Sequence, residues 1–302
     1  MAEPAGRVLG FVGVSTAGSS IQRVFPAWAE DLGLSGMRLA GHDLPLDASA
    51  EDYRAVVRLI RDDDAYAGAL ITTHKISLYR AAADLFDSID PFAELCGEIS
   101  SISKRGGRLA GQAKDPFTAG LALEEFLDDD HFARTGGQAL ILGSGGAGTA
   151  IAYYLAKRPD RPGRILCTGL GAADTGHVRA VLAAGGAAPG LVETAVADGP
   201  ADGLLAAMPP GSLVVNATGM GKDRPGSPLG DAAPYPPDAI AWELNYRGEL
   251  AFLHQARAAG VRVVDGWRYF VHGWSQVVAE VFGLSLTDAD MARLSASAEA
   301  VR

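Results

Sequence analysis

The stretch Ala139-Leu140-Ile141-Leu142-Gly143-Ser144-Gly145-Gly146-Ala147-Gly148-Thr149 constrains this chain more than any other. A short apolar run with the character of a buried strand leads directly into a G-x-G-x-x-G turn, and the turn opens a helix. The first glycine permits the tight turn, the second lets a pyrophosphate approach the backbone, and the third lets the helix pack closely on the strand. The helix N-terminus then offers free N–H groups and a favourable dipole to phosphate. A bare glycine pattern is weak, and a glycine-rich turn without a ligand would look the same. Here the setting is strand, turn and helix, followed by further strand-like runs: Arg164–Leu170, Leu191–Ala197, Ser212–Thr218 and Ala239–Asn245, with helical windows near 175–184, 201–208 and 249–258. Such a series builds a doubly wound α/β unit.

A similar alternation precedes it. Val8–Val14, Met37–Leu44 and Tyr66–Thr72 read as strands, with helices at 22–32, 51–63 and 75–87 between them. In the helix at 51–63, Tyr53, Val56, Val57 and Ile60 share one face. Helices of this length between strands predict crossovers and a mainly parallel sheet. Residues 98–115 read as a hairpin turning at Arg105-Gly106-Gly107. A helix is expected over 116–128 and a final amphipathic helix over about 267–282.

The 302 residues suffice for two medium domains, and 48% hydrophobic with 21% charged residues is ordinary for a globular protein. A net charge of −10 repels nucleic-acid backbones, so no nucleic-acid partner is expected. Cys96 and Cys167 have no metal-ligand spacing and form no disulfide framework, which fits a reducing compartment. The six histidines form no H-x-x-x-H pattern, so no metal is expected. No apolar run reaches membrane-spanning length, and the N-terminal MAEPAGRVLGFVGV reads as leading into a strand rather than as a secretory signal. The expectation is a soluble cytoplasmic protein without a membrane partner, monomeric or homodimeric.

Lys75 stands at the C-terminal end of the third strand, where open α/β sheets hold ligands, although a solvated lysine starting a helix fits the same position. Asp115 closes the hairpin, and capping the helix that begins at Pro116 would suit it equally.

Taken together and in order, these residues resemble the shikimate dehydrogenases, from about Val8 to Gly283. The family's N-V-T-x-P-H-K corresponds to Ala69-Leu70-Ile71-Thr72-Thr73-His74-Lys75, and its G-x-N-T-D to Gly111-Gln112-Ala113-Lys114-Asp115. Its nucleotide turn G-x-G-G-A is Gly143-Ser144-Gly145-Gly146-Ala147. Its N-A-T-P-x-G loop is Asn216-Ala217-Thr218-Gly219-Met220-Gly221, and its D-L-x-Y is Glu243-Leu244-Asn245-Tyr246. Its late glycine is Gly266.

The resemblance implies an NADP- or NAD-dependent oxidoreductase. It would transfer hydride reversibly between nicotinamide and a ring hydroxyl or ketone of shikimate, quinate or a related carbocyclic compound. Lys75 would be the acid–base group and Asp115 would orient the hydroxyl and hold the lysine. Burial disfavours the charged lysine, whereas a nearby carboxylate favours it. Ser19, Ser100, Tyr246 and Gln276 are the substrate-binding candidates. Gly143, Ser144, Gly145, Gly146, Ala147, Gly148, Thr168, Asn216, Ala217, Thr218, Leu244 and Gly266 are the cofactor-binding candidates. The expected fold is an N-terminal α/β substrate domain (1–115) joined by a returning C-terminal helix (267–302), plus a Rossmann-like domain (116–266).

The departures fall on substrate contacts. The family's S-x-S, which grips the substrate carboxylate, is here Ser19-Ser20-Ile21. The threonine four residues before the lysine is Ile71, the asparagine of A-V-N-T is Ser100, and the glutamine of the final helix is Gly273, with Gln276 one turn on. Losing a buried polar partner costs about 1–3 kcal/mol, so several losses weaken shikimate binding by orders of magnitude unless compensated. After the second strand of the nucleotide unit, Cys167-Thr168-Gly169-Leu170-Gly171 carries neither the acidic residue that favours NAD nor the arginine that favours NADP. Two other readings stand beside this one: a different two-domain dehydrogenase, of the methylenetetrahydrofolate type, and a dinucleotide-binding regulator that no longer turns over.

Overall fold

The computed structural model describes residues 7–222 and 224–302, so the first six residues of the N-terminal segment lie outside the described residues. The chain divides into two compact units, one of residues 1–114 with 271–302 and the other of residues 115–270.

The first unit is built on β1 (Val8–Gly13), α1 (Ile21–Asp31), β2 (Arg38–Asp43), α2 (Ala50–Asp62), β3 (Tyr66–Ile71) and α3 (Lys75–Ala82). β4 (Ser88–Ile89), α4 (Pro91–Cys96), β5 (Ser101–Arg105) and β6 (Arg108–Gln112) follow. The sheet order is β2-β1-β3-β5-β6-β4. Every residue of β1 and β3 is buried, as expected of strands covered on both faces. On α2, Tyr53, Val57 and Ile60 enter the core with Val12, Ile71, Leu78 and Ile102, and Val56 packs at its margin.

This sheet is mixed. β2, β1 and β3 are parallel, but β5 runs antiparallel to both β3 and β6. The cause is local: Gly106 and Gly107 both adopt positive φ, +58° and +76°, and a two-residue turn of that hand can only reverse the strand. The helix expected over 75–87 stops at Ala82 and tightens into a 3₁₀ turn, Ala83–Leu85.

The second unit contains α5 (Asp115–Glu124), α6 (His131–Thr135), β7 (Ala139–Leu142), α7 (Gly146–Lys157), β8 (Ile165–Gly169), α8 (Ala172–Ala184) and β9 (Val192–Val196). It continues with α9 (Asp202–Ala206), β10 (Leu213–Asn216), β11 (Ile240–Glu243), α10 (Ala251–Ala258) and β12 (Arg262–Val264). Its six strands are all parallel, in the order β12-β11-β10-β7-β8-β9. Counted from β7, that is the doubly wound 3-2-1-4-5-6 arrangement, and the strand order reverses between β7 and β10.

The unit boundary falls within α11 (Trp267–Phe282), the expected final amphipathic helix. A further helix, α12 (Asp288–Glu299), follows it, beyond the elements expected from the sequence. Thr287 and Asp290 close a capping box at its start. In the first unit, α12 buries Leu294 and Ala298, and the Trp28 indole N–H donates to the Leu294 carbonyl at 2.7 Å. No helix among the described residues is long and apolar enough to cross a membrane.

Candidate functional site

The glycine turn sits where the strand order of the second unit reverses. Gly143 follows β7 at φ +104°, and a Cβ there would lie 2.7 Å from the Ala217 carbonyl oxygen, which follows β10. A Cβ on Gly148 would overlap the Gly143 carbonyl oxygen. Gly145, the N-cap of α7, is the opposite case: a Cβ there would meet nothing within 4 Å. Two of the glycines are therefore demanded by packing, and the middle one faces open space at a helix N-terminus. The first N–H groups of α7 have no acceptor within the helix. A cradle of this shape fits a pyrophosphate.

Neighbouring strands hold the turn on both sides. Gly143 N–H donates to Thr168 Oγ1 at 3.1 Å, and Ala217 N–H donates to the Leu142 carbonyl at 2.7 Å. Ser144 is buried beside Gly169, while Gly146 and Ala147 form the first turn of α7. Beyond Gly169, Leu170 is 73% exposed, and Arg179 on α8 donates to Thr194 Oγ1.

The loop after β10 is knotted from within. Asn216 Oδ1 accepts from Thr218 N–H at 3.1 Å and from Thr218 Oγ1 at 2.6 Å, and Thr218 Oγ1 accepts from Met220 N–H. Asn216 Nδ2 donates to Glu243 Oε2 at 2.7 Å, and Asn245 N–H donates to Glu243 Oε1 at 2.8 Å. Asn245 Nδ2 reaches the Met220 carbonyl at 2.9 Å. The side chains of Asn216 and Thr218 thus serve the loop itself. Glu243 is fully buried, and burial pushes its carboxyl up to about 7 against the opposing pull of the Asn245 and Asn216 bonds.

Glu243 is a residue that sequence reasoning misses as a functional candidate. Its signal is a carboxylate ending the apolar strand Ile240-Ala241-Trp242. Leu244 bonds back to Asn216, and Gly266 lies where a Cβ would overlap the Leu244 carbonyl. Tyr246 packs against Trp267 and Phe270, with ring centroids 5.3 and 4.7 Å apart.

In the first unit, β3 ends in a tight turn with Thr73 at φ +47°, His74 occupies the N-cap position of α3 without a side-chain capping bond, and Lys75 is the helix's first residue. The His74 ring is buried between Tyr53 Oη, 2.9 Å from Nδ1, and the Leu44 carbonyl, 3.0 Å from Nε2. A carbonyl only accepts, so the proton is on Nε2 and the tyrosine donates to Nδ1. Burial lowers the His74 pKa against the raising pull of the Leu44 carbonyl bond, which favours the neutral ring. The histidine therefore pins α2, the loop after β2 and the start of α3 together, beside Lys75.

Ser100 links the ends of three strands. Its carbonyl accepts from Ile71 N–H at 2.9 Å, its N–H donates to the Gln112 carbonyl at 3.0 Å, and its Oγ accepts from Lys114 N–H at 2.7 Å. Ile99 N–H next to it donates to the Lys75 carbonyl at 3.2 Å. Lys114 also pairs with Glu280 at 2.5 Å, and Asp115 is the next residue in the chain. Asp115 opens α5 and accepts from Tyr269 Oη at 3.4 Å.

The replaced positions Ile21 and Ile71 are fully buried, and Ile71 belongs to the apolar core of the first unit. Gln276 Nε2 lies 3.9 Å from Met291 Sδ, a weak contact. Ser19 is buried in the turn before α1, with its N–H on the Thr16 carbonyl. No cluster of three or more His, Cys, Asp or Glu suited to a metal occurs among the described residues.

No protein-family model matches the chain. It is 32% identical over 248 residues to the shikimate dehydrogenase (NADP(+)) of Methylobacterium radiotolerans, an overlap of 79% of this chain and 82% of the relative. Among solved structures it is similar to shikimate 5-dehydrogenase of Thermus thermophilus in complex with NADP(H) and shikimate. That likeness has a TM-score of 0.71 and 22% identity over 98% of this chain and 99% of the other. It is also similar to quinate dehydrogenase of Corynebacterium glutamicum in complex with NAD, with a TM-score of 0.70 and 20% identity over 98% and 99% of the two chains. At these identities the structural likeness speaks for the fold.

Proposed function

This chain belongs to the shikimate dehydrogenase family, and from that premise we propose that it is an NAD(P)-dependent oxidoreductase acting on a ring CH–OH group of a small carbocyclic substrate. The observation that carries the cofactor half of this reading is the glycine turn: Gly143 and Gly148 interlock with the backbone, and Gly145 faces open space at the start of α7. The turn, Thr168 and the loop beginning at Ala217 would hold the dinucleotide. When bound, the nicotinamide supplies the hydride acceptor or donor.

The chain's own residues must then manage a proton. A ring alcohol that gives up hydride must also lose its hydroxyl proton, because a free alkoxide is a poor species at neutral pH. We assign that proton to Lys75 Nζ, with Asp115 orienting the hydroxyl. Two local features support the assignment. The His74 clamp fixes the first turn of α3, and the Ser100 link ties the Lys75 segment to the residue preceding Asp115. Fixing both groups through the backbone lowers the entropy cost of reaching a productive geometry.

The substrate is the less determined half. Ile21 and Ile71 offer no hydroxyl, and Ser100 Oγ is already an acceptor for Lys114 N–H. The best substrate is then a compound other than shikimate: quinate, an aminoshikimate or another cyclic polyol would suit the retained Lys75 and Asp115 pair. No acidic group at Gly169-Leu170-Gly171 repels a 2′-phosphate and no arginine there binds one, so both NADP and NAD are candidate cofactors.

The test is a screen of shikimate, quinate and related cyclitols with both cofactors, on the wild type and Lys75→Ala. Turnover by the wild type, falling by on the order of 100- to 10,000-fold in the variant with dinucleotide binding retained, is the expected result. Efficient shikimate turnover at low KM would overturn the substrate discount. Dinucleotide binding without turnover of any carbocyclic compound would favour the regulator.

A further inference from the structure

Glu243 ends a strand whose other three residues are apolar, and it is fully buried. A carboxyl there is costly unless its oxygens are bonded. Each oxygen has an amide donor, Asn216 Nδ2 on one and Asn245 N–H on the other. These amides lead directly to the loop after β10. Asn216 accepts twice from Thr218, and Asn245 donates to the Met220 carbonyl. The first residue of the same loop, Ala217, presents the carbonyl against which Gly143 is packed. One carboxyl therefore anchors both ends of a four-residue loop that walls the phosphate turn.

We propose that Glu243 is a positioning residue for the dinucleotide: it holds the 217–220 loop against the Gly143 turn and so sets cofactor affinity without touching the cofactor. The proposal rests on the reading that this chain binds a dinucleotide. The ionised carboxyl suits the site because both of its oxygens face donors. A protonated carboxyl brings an O–H that must find an acceptor and weakens one of the two bonds. The groups packed against it are the amides of Asn216, from β10, and Asn245, from the loop after β11. The titratable neighbour is the Tyr235 phenol, pushed up by burial and in part by the Glu243 charge. Because burial raises the Glu243 carboxyl to about 7, the anchored form is lost on the acid side of neutrality.

The experiment is calorimetric titration of the full chain with NADP⁺ and with NAD⁺, without substrate, alongside thermal melts. The pH series uses NAD⁺, which has no 2′-phosphate to titrate. Glu243→Gln keeps the shape but sets an NH₂ donor against an existing donor. Its Kd is expected to rise on the order of 10-fold, and its pH profile to flatten. Glu243→Asp keeps the charge and is expected to recover part of the affinity. A role confined to stability would lower Tm while leaving the Kd of the folded protein unchanged. Wild-type-like affinity and pH profile in Glu243→Gln would overturn the proposal. If that variant does not fold, Glu243→Asp decides: a raised dinucleotide Kd in the folded protein supports the proposal, and a wild-type Kd with a lowered Tm overturns it. Failure of the wild type to bind either dinucleotide would instead fell the underlying reading.

Discussion

The two units keep different things from their family. In the second unit the retained features belong to the backbone: the positive φ of Gly143, the close approach of Gly148 and the open face of Gly145. In the first unit the resemblance keeps a side chain, Lys75, as it keeps Asp115 at the start of the second, while the side chains of the first unit around the proposed substrate position have changed. Ile21 and Ile71 stand where the resemblance expects hydroxyls, and Ser100 stands where it expects an amide. A phosphate cradle is a shape: a Cβ at Gly143 or Gly148 runs into backbone, and one at Gly145 would take up the open face. A substrate pocket is a set of side chains, each replaceable singly at about 1–3 kcal/mol.

The sharpest way to break this contrast is Gly148→Ala. The new methyl has to displace the Gly143 carbonyl, which is backbone and cannot swing aside. A loss of about 3 kcal/mol, on the order of 100-fold in dinucleotide Kd, is expected by calorimetry. Near-native affinity would show that the turn is looser than its packing implies.

Ser100→Ala is next. It leaves the Lys114 N–H without its acceptor, one residue before Asp115. The expected cost is about 1–3 kcal/mol, expressed mainly in kcat if Ser100 aligns the acid–base segment. A rise confined to KM would return Ser100 to the role of a substrate contact.

The smallest effect is on stability against pH, where the two units carry opposite signs. Burial lowers the folded pKa of His74 below the ordinary 6.5. The unfolded chain gains the proton first, and stability contributed by His74 is lost as pH falls below that value. Glu243 is the reverse. Its carboxyl rises from 4.5 to about 7 on folding, so its contribution is full below 4.5 and is lost as pH rises through about 7. Melting curves should show the acid-side loss reduced in His74→Asn and the loss toward neutral pH reduced in Glu243→Gln. Shifts of about 2–4 °C for each kcal/mol are readable in a chain of this size. Parallel slopes in both variants would sink the contrast.

Legibility from sequence follows the same division. The glycine turn is readable because its requirements lie within a few consecutive residues. α12 escapes the periodicity reading although its capping box, Thr287 with Asp290, is local and visible. The antiparallel β5–β6 pair is legible as a hairpin, but its effect on the whole sheet is not, since the partner of β5 is β3. Ser100 reads as a substrate contact because its nearest sequence cue is the family pattern. Its bond to Lys114 depends on the register of β5 against β6, which brings Ser101 opposite Gln112. Glu243 escapes for the same kind of reason: one donor, Asn216, stands at the end of the neighbouring parallel strand β10, and the other, Asn245, lies in the loop after β11.

The amino-acid order alone determined the alternating architecture, the phosphate-type turn and the positions of Lys75 and Asp115, because periodicity, glycine spacing and strand-end placement are short-range properties. Only the tertiary structure decided which polar side chains serve the scaffold. Asn216, Thr218, Ser100 and His74 all spend hydrogen bonds on their own surroundings. A buried polar atom takes whichever partner strand register brings within reach, and that pairing is written in distances across the sheet, not along the chain.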